Sequence, residues 1–138
     1  MIYAYKNEQG TLCCALFKEN IPAGTQYVSL DCQSDDVYLE GGEIKVKTSA
    51  QKDNELLLSL RQKAHEKNSN VYKEVYSVTD NEYLKYQKRQ VAGILTEQDE
   101  ADIQQAIEQY AEATTNYKQT KIDIDSMTIE ELQHYMEA

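Results

Sequence analysis

The stretch TEQDEADIQQAIEQYAEATTNY, residues 96–117, decides the fold of this chain. Thr96 is a residue type that caps helices, and Glu97, Asp99 and Glu100 fall in the first turn that follows, where negative charge complements the exposed amides and the helix dipole. From there Ile103, Ile107, Tyr110, Thr114 and Tyr117 recur at spacings of 4, 3, 4 and 3. That is a seam of about two heptads, narrower than the apolar face of an ordinary globular helix and suited to pairing with another helix. Two heptads are short for an independent coiled coil. The seam is therefore expected either to pack on the chain's own preceding helix or to face a partner, including a second copy in a homodimer.

Upstream, the pattern is also helical. Residues 53–67 place Leu57, Leu60 and Ala64 on one face, with Leu56 and Leu58 widening it. Asn68-Ser69-Asn70 reads as a break, and the Val- and Tyr-rich segment Val71–Val78 leans towards strand or irregular structure. Thr79-Asp80-Asn81-Glu82 has the form of a capping box, so a separate helix is expected over residues 80–92, ended by Gly93. Downstream, Thr128-Ile129-Glu130-Glu131 is another capping box, opening a short helix with Ile129, Leu132, Tyr135 and Met136 on its apolar side.

The first 48 residues follow different rules. Ile2–Tyr5, Thr11–Phe17, Thr25–Leu30, Val37–Leu39 and Glu43–Val46 are short runs rich in apolar, β-branched and aromatic residues, separated by turn-forming sequences at 7–10, 21–24 and 40–42. The only proline and four of the five glycines lie here. The expected fold is α+β: a small N-terminal antiparallel β meander over residues 1–48, then a helical subdomain over 49–138 containing a helical hairpin or short coiled coil.

Charge separates the two ends. The chain of 138 residues carries a formal charge of −10, distributed as −3 over residues 1–48, +2 over 49–95 and −9 over 96–138. A phosphate backbone calls for clustered Lys and Arg, so this balance argues against direct nucleic-acid binding. Glu97, Glu100, Asp102, Glu108 and Glu112 form the candidate acidic surface. The one aromatic-basic cluster, Tyr83, Lys85, Tyr86, Lys88 and Arg89, is expected to neutralise that acidic helix rather than to grip phosphate. The eleven Tyr, against one Phe and no Trp, favour rings at edges and interfaces, where the hydroxyl finds a partner.

The chemistry-bearing residues form no catalytic pattern. Cys13, Cys14 and Cys32 are odd in number, and an adjacent pair lacks the spacing of a metal-chelating loop. His65 and His134 stand in polar helical sequence without a nucleophile motif. Gly41-Gly42 lacks the Lys and Ser/Thr of a phosphate loop, and the acids at 99–102 lack the central Gly of a calcium loop. No cofactor, metal or enzymatic activity is expected. Nothing near Met1 resembles a secretory signal, and no apolar run approaches membrane-spanning length, so a cytoplasmic protein with free thiols is expected.

Three segments together resemble a known family. Met1-Ile2-Tyr3-Ala4-Tyr5, then Asn54-Glu55-Leu56-Leu57-Leu58 with Arg61, then the sequence from Leu95 through Ile103 to Tyr110-Ala111-Glu112-Ala113, are similar to small tailed-phage proteins of the tail fibre assembly type, mainly over residues 53–117. The resemblance implies a non-catalytic chaperone or cap in the host cytoplasm that binds the tip of a receptor-binding fibre. The β segment or the seam of Ile103, Ile107, Tyr110, Thr114 and Tyr117 would be its interface. A second class of function follows from the acid alone. Phage proteins of the anti-CRISPR kind inhibit a host defence enzyme by presenting carboxylates where nucleic-acid phosphates would sit, and the five candidate acidic residues could supply such an array.

Overall fold

The computed structural model describes residues 1–138 and shows an α+β chain, with antiparallel strands in the N-terminal part and three helices after them. It divides into two compact units, Met1–Asn54 and Glu55–Ala138.

The first unit contains β1 (Ile2–Lys6), β2 (Leu12–Ala15), β3 (Tyr27–Leu30), β4 (Val37–Glu40) and β5 (Glu43–Val46). β1 is the central strand of a three-stranded sheet in the order β2-β1-β3, and β4 pairs with β5. All pairings are antiparallel. Alternation along β1 sends Ile2 and Ala4 inward, where they meet Val37, flanked by Leu12, Leu30, Cys32 and Ile44. Cys32 thus packs as a small hydrophobe. Gly41 and Gly42, with φ of 59° and 80°, supply the two left-handed positions that a tight β4–β5 hairpin turn requires. The second strand stops at Ala15, short of the expected Phe17, and Leu16 and Phe17 are exposed ahead of a 3₁₀ turn at Lys18–Asn20.

α1 spans Ser49–Ala92 as one uninterrupted helix of 44 residues. It opens on a capping box: Gln51 N–H donates to Thr48 Oγ1 at 3.1 Å, and Thr48 N–H donates to Gln51 Oε1 at 2.8 Å. Its first turn belongs to the N-terminal unit, where Lys52 pairs with Asp36 at 2.9 Å and Gln51 Nε2 donates to Tyr38 Oη. The compact unit therefore reaches beyond residue 48.

Two sequence expectations fail inside α1. Neither the break at 68–70 nor the strand-like reading of Val71–Val78 survives, because these residues pack against the following helix. Asn68 is buried and its amide donates to Tyr117 O, while Tyr72 stacks on Tyr117. Nor does Thr79 cap a new helix. Its hydroxyl donates back to Val75 O and Tyr76 O, so it is satisfied within the helix and residues 80–92 simply continue it. α1 ends as expected at Gly93, whose φ is 70°. The amide of Gly93 bonds to Gln90 O and that of Ile94 to Arg89 O, which together form a Schellman cap.

α2 (Glu97–Ser126) begins at Thr96, whose side chain accepts from Asp99 N–H, while Thr96 N–H donates to the Asp99 carboxylate. α3 (Ile129–Glu137) begins at the Thr128–Glu131 capping box. It buries Leu132 against Ala64 and Ile124, with Leu57, Leu60, Met127, Tyr135 and Met136 around them. That cluster closes one end of an antiparallel α1–α2 hairpin.

Candidate functional site

The hairpin between α1 and α2 is held by a series of side-chain contacts that differ in chemistry from one end to the other. Near the α1–α2 turn, Arg89 Nη1 donates to Asp99 Oδ1 at 3.0 Å, and the Asp99 side chain is nearly fully buried. Hydrogen bonds from Thr96, and then the Arg89 guanidinium, hold the Asp99 carboxyl below the usual aspartate range despite its desolvation. One turn away, the Tyr86 hydroxyl donates to Glu100, and that carboxylate raises the phenol above the usual tyrosine range. The aromatic-basic cluster thus engages the start of the acidic helix through Arg89 and Tyr86.

In the middle of the hairpin, tyrosines replace charge. Tyr72 stacks on Tyr117 with centroids 4.7 Å apart, and Tyr110 lies 6.4 Å from Tyr72 and 5.9 Å from Tyr76. The Tyr72 hydroxyl is 3.2 Å from Thr114 Oγ1 and 3.4 Å from Tyr110 Oη. Those two hydroxyls, Thr114 first, draw the Tyr72 phenol below its usual range, and Tyr110, facing Tyr72, is raised. Towards α3, His65 Nε2 lies 2.7 Å from Asp125 Oδ1. The carboxylate can only accept, so the proton sits on Nε2. Lys67 Nζ donates to Tyr135 O and Ala138 O at 2.7 Å, fixing the end of α3.

These contacts divide the five seam residues. Ile103 is buried and Tyr117 and Thr114 are half-buried against α1, so much of the seam is used within the chain. Ile107 and Tyr110 remain 52 % and 40 % exposed. They border a shallow groove of about 200 Å³, floored by Ile103 and Ala106 and walled on α1 by Tyr76, Asp80 and Tyr83. This is smaller than the ~300–1,000 Å³ of a typical small-molecule pocket and suits one or two side chains from a protein. Across the hairpin, a second shallow depression lies between Val75 and Val78 of α1 and Ala113 of α2, with Glu74 and Glu112 at its rim.

A hairpin of two helices cannot enclose a core. Between the two capped ends its buried side chains are Ile103, Ala106, Thr79 and Asn68, a single large apolar group among small or polar ones, while Val71, Tyr76, Val78, Tyr83 and Ile107 are each about half exposed or more. Apolar surface repeated along a helix pair is characteristic of a protein-interaction surface. Of the candidate acids, Glu97, Glu100, Glu108 and Glu112 are exposed and Asp102 is half-buried, accepting from Gln98 at 2.8 Å. Arg89 belongs to the basic cluster expected to neutralise the acidic helix, but its pairing with the buried Asp99 carboxylate carries no sequence signal of its own, and the Tyr72 ladder was not legible because Tyr72 lies in Val71–Val78, whose composition reads as strand. No helix is long and apolar enough to cross a membrane. In comparisons with known proteins, the chain matches no family model, no curated sequence and no solved structure.

Proposed function

We propose that this chain is a non-catalytic protein-binding module of a tailed phage, acting in the host cytoplasm as a tail fibre assembly chaperone or tail-associated protein. The observation that carries the reading is the open hairpin: two long capped helices that leave Tyr76, Tyr83, Ile107 and Tyr110 on one side and Val71 and Val78 exposed elsewhere along α1. A chaperone needs such a surface, because it must cover apolar parts of a client until assembly covers them instead. The likeness of residues 53–117 to the tail fibre assembly type supports the same reading. Ile103, Ile107, Tyr110, Thr114 and Tyr117 then serve two purposes, the inner edges fixing the hairpin and the outer edges of Ile107 and Tyr110 meeting protein.

A second reading is favoured by one observation. Glu97, Glu100, Glu108 and Glu112 are all exposed on the first half of α2. Such an array suits inhibition of a host defence enzyme by occupying its basic nucleic-acid channel. Tagged protein expressed during phage infection separates the two. Co-purification of a fibre protein, lost on Ile107→Asp, supports assembly, whereas recovery of a nuclease alone sinks it in favour of inhibition.

A further inference from the structure

On one face of the hairpin, both long helices carry stripes repeated every seven residues. On α1 the stripe runs Glu66, Lys73, Asp80, and on α2 it runs Glu100, Ile107, Thr114, Lys121. Seven residues are almost two helical turns, so the members of each stripe point nearly the same way. Lys73 and Lys121 line one shallow depression on this face, while Asp80 and Ile107 line the apolar groove already described. All four of these side chains are exposed, and Lys73, Asp80 and Lys121 make no ion pair within the chain. The polar and apolar parts of the face thus occupy opposite halves of it.

Contacts within the hairpin fix the level of one helix against the other. Tyr76 faces Tyr110, and the same offset recurs where Tyr72 meets Thr114 and Asn68 meets Tyr117. A two-fold axis lying across both helices at the Tyr76–Tyr110 level would bring Lys73 of one copy opposite Asp80 of the other. That same axis brings Glu100 opposite Lys121. Two separate charge pairs are therefore satisfied by one symmetry operation, with the half-exposed Tyr76 and Tyr110 rings at its centre. A two-fold axis along the helices would instead lay α1 on the partner's α2, setting Asp80 at the level of Ile107 and Lys73 at the level of Thr114, and would form neither charge pair.

We infer that this face is covered by a second copy of the chain, packed antiparallel so that α1 lies on α1 and α2 on α2. The contact is isologous, as two-fold dimers require. From Gln62 to Tyr83 the face runs about 33 Å along the helices and about two helix diameters across. That gives a footprint on the order of 700 Å², close to the ~800 Å² per partner of a standard stable interface. The inference rests on reading the hairpin as a protein-binding surface, and in it the second copy occupies the same Ile107 and Tyr110 face that a client would take, so client and second copy exclude one another.

Sedimentation equilibrium of the purified full chain tests it without any other protein. The chain should sediment as a dimer at micromolar concentration. Asp80→Lys, which places Lys opposite Lys73 twice per dimer, should raise the dissociation constant about tenfold. Lys73→Asp should do the same. The double variant Lys73→Asp/Asp80→Lys should return to within about threefold of the parent. Residues 73 and 80 stand about 10 Å apart along one helix, so rescue must come through the second copy. Lys121→Glu, alone and with Glu100→Lys, checks the other pair, and circular dichroism checks that every variant stays helical. A monomer at all concentrations, a dimer indifferent to Asp80→Lys, or double variants no better than the singles would each overturn the inference. Failure to recover a fibre protein from infected cells would leave these results unchanged, so the two readings fail separately.

Discussion

Asp99 accepts from the Thr96 amide at 3.0 Å and from Arg89 at 3.0 Å, so a single side chain completes the α2 cap and ties it to α1. Removing the other half of the cap, Thr96→Ala, should cost about 1 kcal/mol. For a unit of this size that lowers the thermal midpoint by about 4–8 °C, measured by helical ellipticity. The carboxylate also makes stability depend on pH. Its folded pKa is depressed, first by the Thr96 hydrogen bonds, so its contribution is fully present above the ordinary aspartate range and is lost as pH falls through the lower folded value. Asp36, held low by Lys52, adds a dependence of the same sign in the N-terminal unit. Urea midpoints between about pH 5 and pH 2 should therefore fall on acidification. In Asp99→Asn the fall should be smaller, and an undiminished acid limb would show that the cap does not report its titration.

Among the elements, the helix starts at Thr96 and Thr128 were legible because each hydroxyl has only one use, accepting from the third amide of the helix it opens. Thr79 offered the same letters with the opposite outcome. Its hydroxyl turns back to the preceding carbonyls, a choice set by burial against α2 rather than by the four residues of the motif. The same long-range packing makes a helix of Val71–Val78, whose β-branched composition says strand. The seam on α2 is legible from its period, but its internal partner is not, since Tyr72 lies in Val71–Val78, whose composition reads as strand or irregular structure. Tyr72→Ala deletes the stack on Tyr117 and the contacts to Thr114 and Tyr110, and should lower the unfolding free energy by about 2 kcal/mol in denaturant titration. α3 depends on one fully buried anchor. Leu132→Asp places a charge where no partner exists, so residues 129–137 should lose amide-exchange protection. The Thr96 end of α2 should keep its protection.

For the whole molecule, the charge of −10 gives an overall repulsion of anionic partners, but its concentration in residues 96–138 makes the two proposed modes of binding respond differently to salt. A fibre tip held by Ile107 and Tyr110 is bound mainly by apolar burial, which ionic strength barely weakens. A basic channel held by Glu97, Glu100, Glu108 and Glu112 is bound by exposed charges, whose interactions are screened as the Debye length falls from about 10 Å at 0.1 M salt towards about 3 Å at 1 M. In the assembly reading, binding measured by isothermal titration calorimetry at about 0.1 and 0.5 M salt should differ less than about threefold. Replacing the four exposed acids by Gln should matter as little. The heat capacity change should be clearly negative, because apolar surface leaves water. Inhibition by charge mimicry gives the reverse: affinity falls more than about tenfold over the same range, and the four-Gln variant already sits near the high-salt value. Steep salt dependence together with an unaffected Ile107→Asp variant would therefore move the working surface from the tyrosine-lined face to the carboxylates of α2.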